Sequence, residues 1–178
     1  MVSIPSYNTH IATYDPIATI SLTSTAADIT FSNIPQVYKD LVVVLIGTVA
    51  NTGGGWTAAY AQINGDTGNN YSNTNIYGDG STVVSNRLSS TSVLYSRTWA
   101  NSDSTGIRPS TMRLQFQSYT NTNVFKTVLG ETSGDLYTNR FVSLWRSTSA
   151  ITTLKFYPAG SNWSAGFKAS LYGIKGEL

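Results

Sequence analysis

Few side chains in this chain can do chemistry, and their spacing limits what that chemistry could be. There is one histidine, His10, and no cysteine. A Ser-His-Asp arrangement would need His10 beside a serine and a carboxylate, and no Gly-x-Ser-x-Gly elbow occurs to present the serine. His10 instead falls in an N-terminal arm and reads as a solvated or interface side chain. Zinc sites are built from clusters of histidine and cysteine, which a single histidine cannot supply. Gly53, Gly54 and Gly55 lack the following lysine and helix of a phosphate-binding loop. No catalytic residue, metal-ligand set or cofactor motif is therefore assigned, and the chain is expected not to be an enzyme.

The carboxylates are the remaining route to catalysis, since two acids can hydrolyse a glycosidic bond. They are Asp15, Asp28, Asp40, Asp66, Asp79, Asp103, Glu131, Asp135 and Glu177. Most stand in turn-like segments, where Asp accepts hydrogen bonds from nearby backbone N–H groups. Asp66 and Asp79 are the pair that could approach across a hairpin, but turn structure is the preferred reading of both. The stretch Asn64 to Asn70 has a faint calcium-loop character, but no Glu closes it and no helices flank it. Its Asn, Asp and Gly content reads more simply as a turn folded by its own side chains. Among the aromatics, Trp145 sits in an apolar strand and belongs to the core. Trp56, Trp99 and Trp163 stand at loop edges, where an indole stacks on a sugar ring or anchors a partner.

The elements that would position these residues are strands. Asp40 to Val49 is the longest apolar run, β-branched and too short to cross a membrane as a helix. Leu41, Val43 and Leu45 point one way; Val42, Val44 and Ile46 point the other. Two apolar faces need two coverings, so Val42, Val44 and Ile46 are the candidate subunit-interface face. Period-two alternation recurs over 18–23, 28–32, 112–117, 153–156 and 167–172. The strands at 18–23 and 28–32 read as a hairpin. Strands are also expected at 56–63, 71–77, 124–130 and 136–146, whereas 82–109 carries little pattern. Nothing shows a helical stripe longer than a turn. Some nine to eleven short strands separated by turns predict an all-β antiparallel β-sandwich, jelly-roll-like, over 17–178, preceded by an extended arm over 1–16.

Composition agrees with a single domain of 178 residues. Charged residues are 11% and the net charge is +2, with the basic residues scattered rather than striped, so no nucleic-acid partner is expected. Ser, Thr, Asn and 11 Tyr make up the polar surface, as in many extracellular and virion β-proteins. The N-terminus has neither the basic nor the apolar region of a signal peptide, and no membrane partner is expected.

Several stretches taken together carry a resemblance. They are Ile17-Ala-Thr-Ile-Ser-Leu22, Ile29-Thr-Phe-Ser-Asn-Ile-Pro-Gln-Val-Tyr-Lys-Asp-Leu41, Ile63-Asn-Gly-Asp-Thr-Gly-Asn-Asn-Tyr71, Val124-Phe-Lys-Thr-Val-Leu-Gly130, Trp145 to Leu154 and Trp163 to Lys175. The set resembles small virion structural proteins of tailed bacteriophages, found on heads and in tail or fibre proteins. That resemblance implies a β-domain on a particle surface, made in the host cytoplasm, and supplies no catalytic residues. With the second apolar face, it leads to the expectation of a capsid decoration (cement) protein. Such a protein binds the outside of the head, touches the major capsid protein and forms a homo-oligomer, a trimer being favoured. The alternative expectation is a tail or fibre module that binds a receptor or glycan.

Overall fold

The computed structural model describes residues 14–50, 56–100, 108–134 and 137–176, with the backbone alone for 97–100. Among the described residues there is no helix. In chain order the strands are β1 (Tyr14–Ser21), β2 (Ile29–Phe31), β3 (Asp40–Gly47), β4 (Trp56–Ile63), β5 (Tyr71–Gly78) and β6 (Val83–Thr91). They continue as β7 (Leu94–Ala100), β8 (Ser110–Phe116), β9 (Lys126–Ser133), β10 (Thr138–Trp145), β11 (Leu154–Pro158) and β12 (Lys168–Ile174). They form an eight-stranded sheet, β1-β12-β3-β8-β9-β10-β5-β6, and a four-stranded sheet, β2-β11-β4-β7. The expected all-β antiparallel sandwich is what forms, with twelve described strands.

The core lies where the inward residues of the two sheets meet. Leu41, Val43 and Leu45 of β3, Met112, Leu114 and Phe116 of β8, and Ala169 and Leu171 of β12 supply one side. Ile29 and Phe31 of β2, Ile63 of β4, and Leu154 and Phe156 of β11 supply the other. The period-two pattern produces this directly, because alternate side chains leave a strand on opposite faces.

The hairpin expected from the first two strands does not form. β1 pairs with β12, and β2 pairs with β11 in the other sheet. Short sequence separation favours a hairpin, but a sandwich chain passes between sheets, and the partners here lie far away in sequence. The N-terminal arm also ends earlier than expected, since Tyr14, Asp15 and Pro16 already belong to β1; the rest of that arm, with His10, lies outside the described residues. At this edge Tyr14 is opposite Ile174, and Lys175 Nζ lies 2.8 Å from Asp15 Oδ2.

The second apolar face of β3 is graded along the strand. Val42 is 1% exposed, Val44 is half-buried and Ile46 is 44% exposed. The register explains the gradient. Val42 lies between Tyr172 and Gln115, Val44 between Ser170 and Arg113, and Ile46 between Lys168 and Thr111. Long neighbours on both sides shield Val42 within its own sheet, as amphipathic side chains commonly do.

At one end of the sandwich a cation is buried. Lys126 has no exposed surface, and its ammonium donates to the carbonyls of Asn121, Val124 (3.0 Å) and Thr148 (3.1 Å). Burial pushes its pKa below the ordinary lysine value. The three carbonyls belong to the loop before β9 and the loop after β10, so one side chain ties the two loops together.

Candidate ligand groove

The site is built on the outer face of the eight-stranded sheet. Residues directly opposite on paired strands share a face, so the register defines rows of side chains. One outer row runs Arg113, Glu131, Arg140, Ile76, Ser85 across β8, β9, β10, β5 and β6. The adjacent row runs Gln115, Leu129, Val142, Thr74. Together they line an open groove of about 440 Å³. Its apolar strip is exposed: Ile76 is 53%, Leu129 43% and Val142 42% accessible.

Beneath the groove, Gly130 and Phe141 are opposite each other. Phe141 points into the core, and a Cβ on Gly130 would stand 2.1 Å from its Cζ. Glycine at 130 therefore lets the Phe141 ring lie against the β9 backbone, which keeps this part of the sheet closely packed.

The charged row is arranged asymmetrically. Glu131 lies between two arginines in register, yet its carboxylate goes to one of them, with Arg140 Nη2 to Glu131 Oε2 at 2.8 Å. Arg113 turns the other way, and its Nη2 donates to the Tyr14 hydroxyl at 3.1 Å. The Tyr14 ring meets Tyr172 edge-on, with centroids 6.2 Å apart. Tyrosines from β1 and β12 thus hold the guanidinium at the groove end facing β3.

The residues singled out in the sequence lie elsewhere. Trp56 opens β4 half-buried and packs edge-on against Tyr137 at 6.5 Å. Trp99 has its backbone opposite Thr57, and its side chain lies outside the described residues. Trp163 corrects an expectation: its loop folds back over the core instead of standing at the surface. The indole is 0% exposed, its Nε1 donates to the Phe156 carbonyl at 3.2 Å, and its ring packs on Phe167 at 4.3 Å. It cannot touch a partner or a sugar.

Asp66 and Asp79 serve turns, as expected, and do not pair. Asp66 lies in the turn before β5 and Asp79 in the turn after it. Eight residues of extended chain separate the two ends of that strand by roughly 25 Å. Each acid serves its own turn. Asp66 accepts from the Gly68 N–H at 2.8 Å, the Asn70 amide at 3.0 and 3.1 Å, and Trp145 Nε1 at 2.7 Å. Burial works against its charge, but the donors from Trp145, Asn70 and Gly68 together outweigh it and hold the carboxyl below 3.8. Both Asp66 oxygens are thus occupied by N–H donors, as in a turn folded by its own side chains. Asp79 Oδ1 accepts from the Ser81 and Thr82 N–H groups at 2.9 and 2.7 Å.

An aromatic row missed in the sequence crosses the outer face of the small sheet. Tyr60 lies between Tyr95 and Tyr157, with centroid distances of 5.6 and 5.5 Å. Such cross-strand pairs stabilise a sheet.

No family model matches this sequence, and no curated protein matches it. Among solved structures, the exo-inulinase of Aspergillus awamori aligns over 89% of this chain at 18% identity, with a TM-score of 0.44; the chain spans 29% of that protein. The CBM40 domain of the Ruminococcus gnavus IT-sialidase aligns over 90% of this chain and 94% of its own length, at 8% identity and a TM-score of 0.37. The enzymatically active domain of bacteriophage CBA120 tailspike protein 2 aligns over 93% of this chain and 29% of its own, at 10% identity and a TM-score of 0.37.

Proposed function

We propose that this chain is a non-enzymatic glycan-binding β-sandwich module, which holds its ligand in the groove of the large sheet. The observation that carries the reading is the juxtaposition of the Arg113-Glu131-Arg140 row with the exposed strip of Leu129, Val142 and Ile76. A sugar presents hydroxyls that both donate and accept, together with apolar C–H faces. The groove offers guanidinium donors, a carboxylate acceptor, the Gln115 amide and the Thr74 and Ser85 hydroxyls beside that apolar strip. Its volume falls in the range of about 300–1,000 Å³ typical of ligand sites. Among the described lining residues the only acid is Glu131, held by Arg140, so two-carboxylate hydrolysis has no second acid there. The phage virion proteins that the chain resembles include tail and fibre proteins, a setting in which such a module would grip polysaccharide on a host surface.

Titration calorimetry with a panel of neutral and acidic oligosaccharides tests this reading. Saturable binding should be lost in a Leu129→Glu, Val142→Glu double variant that keeps its melting temperature. Binding unaffected by those changes, or no binding to any saccharide, would refute it.

The capsid-decoration reading keeps one observation in its favour, the exposure of Ile46 on the outer face of β3. It is weakened by the burial of Val42 within the chain, which leaves less apolar surface for a neighbour. A trimeric mass in solution, with co-sedimentation on expanded heads that is abolished by Ile46→Asp, would favour it over the glycan reading.

A further inference from the structure

We infer that the ligand of the groove carries a carboxylate and that Arg113 is its anchor, so that the module selects acidic over neutral saccharides. The inference rests on the glycan reading above and goes beyond it in naming the class of sugar.

Three charged residues line the groove: Arg113, Glu131 and Arg140. Glu131 and Arg140 neutralise each other at 2.8 Å. Arg113 is left as a cation whose hydrogen-bond partner is a neutral hydroxyl, that of Tyr14. The site therefore has a net charge of one positive unit, located at the end flanked by Tyr14. A guanidinium carries five N–H donors in a planar fork, and the bond to Tyr14 engages one of them. That bond, with Tyr14 packed on Tyr172, restrains the side chain before any ligand arrives. The fork matches the two oxygens of a carboxylate, and a restrained fork loses less freedom on binding. Leu129 and Val142, in the neighbouring row, give the ring bearing that carboxylate an apolar surface to lie on.

The test compares matched ligands by calorimetry at low salt. One pair is tetragalacturonate and the same tetrasaccharide with its carboxylates reduced to alcohols. The other is a sialylated trisaccharide and its desialylated form, which separates uronate from sialate sources. The acidic member of at least one pair should bind about tenfold or more tighter, as expected for a hydrogen bond to a charged group. The preference should shrink as salt is raised. Arg113→Gln should abolish the preference by weakening binding of the acidic member about tenfold or more beyond any loss for the neutral one, and Arg113→Lys should restore only part of it. Equal binding of acidic and neutral members, or a preference that survives Arg113→Gln, overturns the inference and leaves the glycan reading standing. Binding of none of the four ligands overturns both.

Discussion

Replacing Lys126 by methionine sets two opposing effects against each other. Methionine matches the length and bulk of the lysine stem but donates no hydrogen bond. The carbonyls of Asn121, Val124 and Thr148 then lose the ammonium that binds them. A hydrogen bond contributes about 0.5–1.5 kcal/mol net, and about 1 kcal/mol for each of these three part-buried bonds gives a loss of about 3 kcal/mol. Against this, methionine relieves the burial of a charge, and replacing buried charges by apolar groups of similar size is sometimes neutral or stabilising. The hydrogen bonds are expected to win, because no carboxylate has to be stranded to remove this cation. The loss translates into a drop in Tm of about 6–12 °C, at about 2–4 °C per kcal/mol for a chain of this size. Urea unfolding followed by tryptophan fluorescence would show a lower midpoint with the slope preserved. A variant as stable as the parent would refute the reasoning and mean that burying the charge costs as much as the three bonds return. The pKa direction gives a second check. The folded-state value lies below 10.5, so the unfolded chain binds more protons between the two values. Stability of the parent relative to the variant should therefore rise as the pH climbs through that window.

Asp66 should show a dependence of the same sign at acid pH. Its folded-state pKa lies below 3.8, so its contribution is present above that value and is lost as the pH falls through the folded one. The gap in urea midpoint between the parent and Asp66→Asn should close accordingly. Gly130→Ala should cost about 1–3 kcal/mol by thermal denaturation, since the new methyl meets the Phe141 ring. Adding Phe141→Leu should recover part of that loss. On β3, Leu45→Ala should cost about 2–5 kcal/mol, whereas its neighbour Ile46→Thr should stay within about 0.5 kcal/mol. Equal costs would mean that Ile46 is as buried as Leu45.

The strands that were legible in the sequence are those with one face in the core. β8, β11 and β12 announce themselves because burial imposes alternation on Met112 to Phe116, Leu154 to Phe156 and Ala169 to Leu171, and β3 because Leu41 to Ile46 is an unbroken apolar run. β6 does not, because an edge strand with Ser85, Asn86 and Arg87 in its middle buries too little to leave a pattern. Trp163 reads as exposed from the sequence because Gly160 and Gly166 mark a loop, and loops usually run over the surface. In the folded chain its bridges to Ala26 and Val49 draw that loop across the core. The groove could not be read from the sequence. Arg113 and Gln115 show as the polar face of a strand, and Glu131 and Arg140 as isolated charges. Only the order β8-β9-β10-β5 makes them neighbours, and that order comes from pairings remote in sequence.

The pairing of β1 with β12 has a mechanical consequence. Tyr14 and Ile174 lie opposite each other at one end of an antiparallel pair, so tension applied between residues 14 and 176 loads that pair as a zipper. Each rung then carries the load in turn, where a sheared pair would share it among all rungs. The first rung is reinforced by the Lys175–Asp15 ion pair, which must part before the strands can separate. A module tethered at residue 176 and gripping a ligand in the groove is loaded differently. The force then passes from β12 through β3 and β8, strands bonded on both sides, and the edge strand β1 is spared.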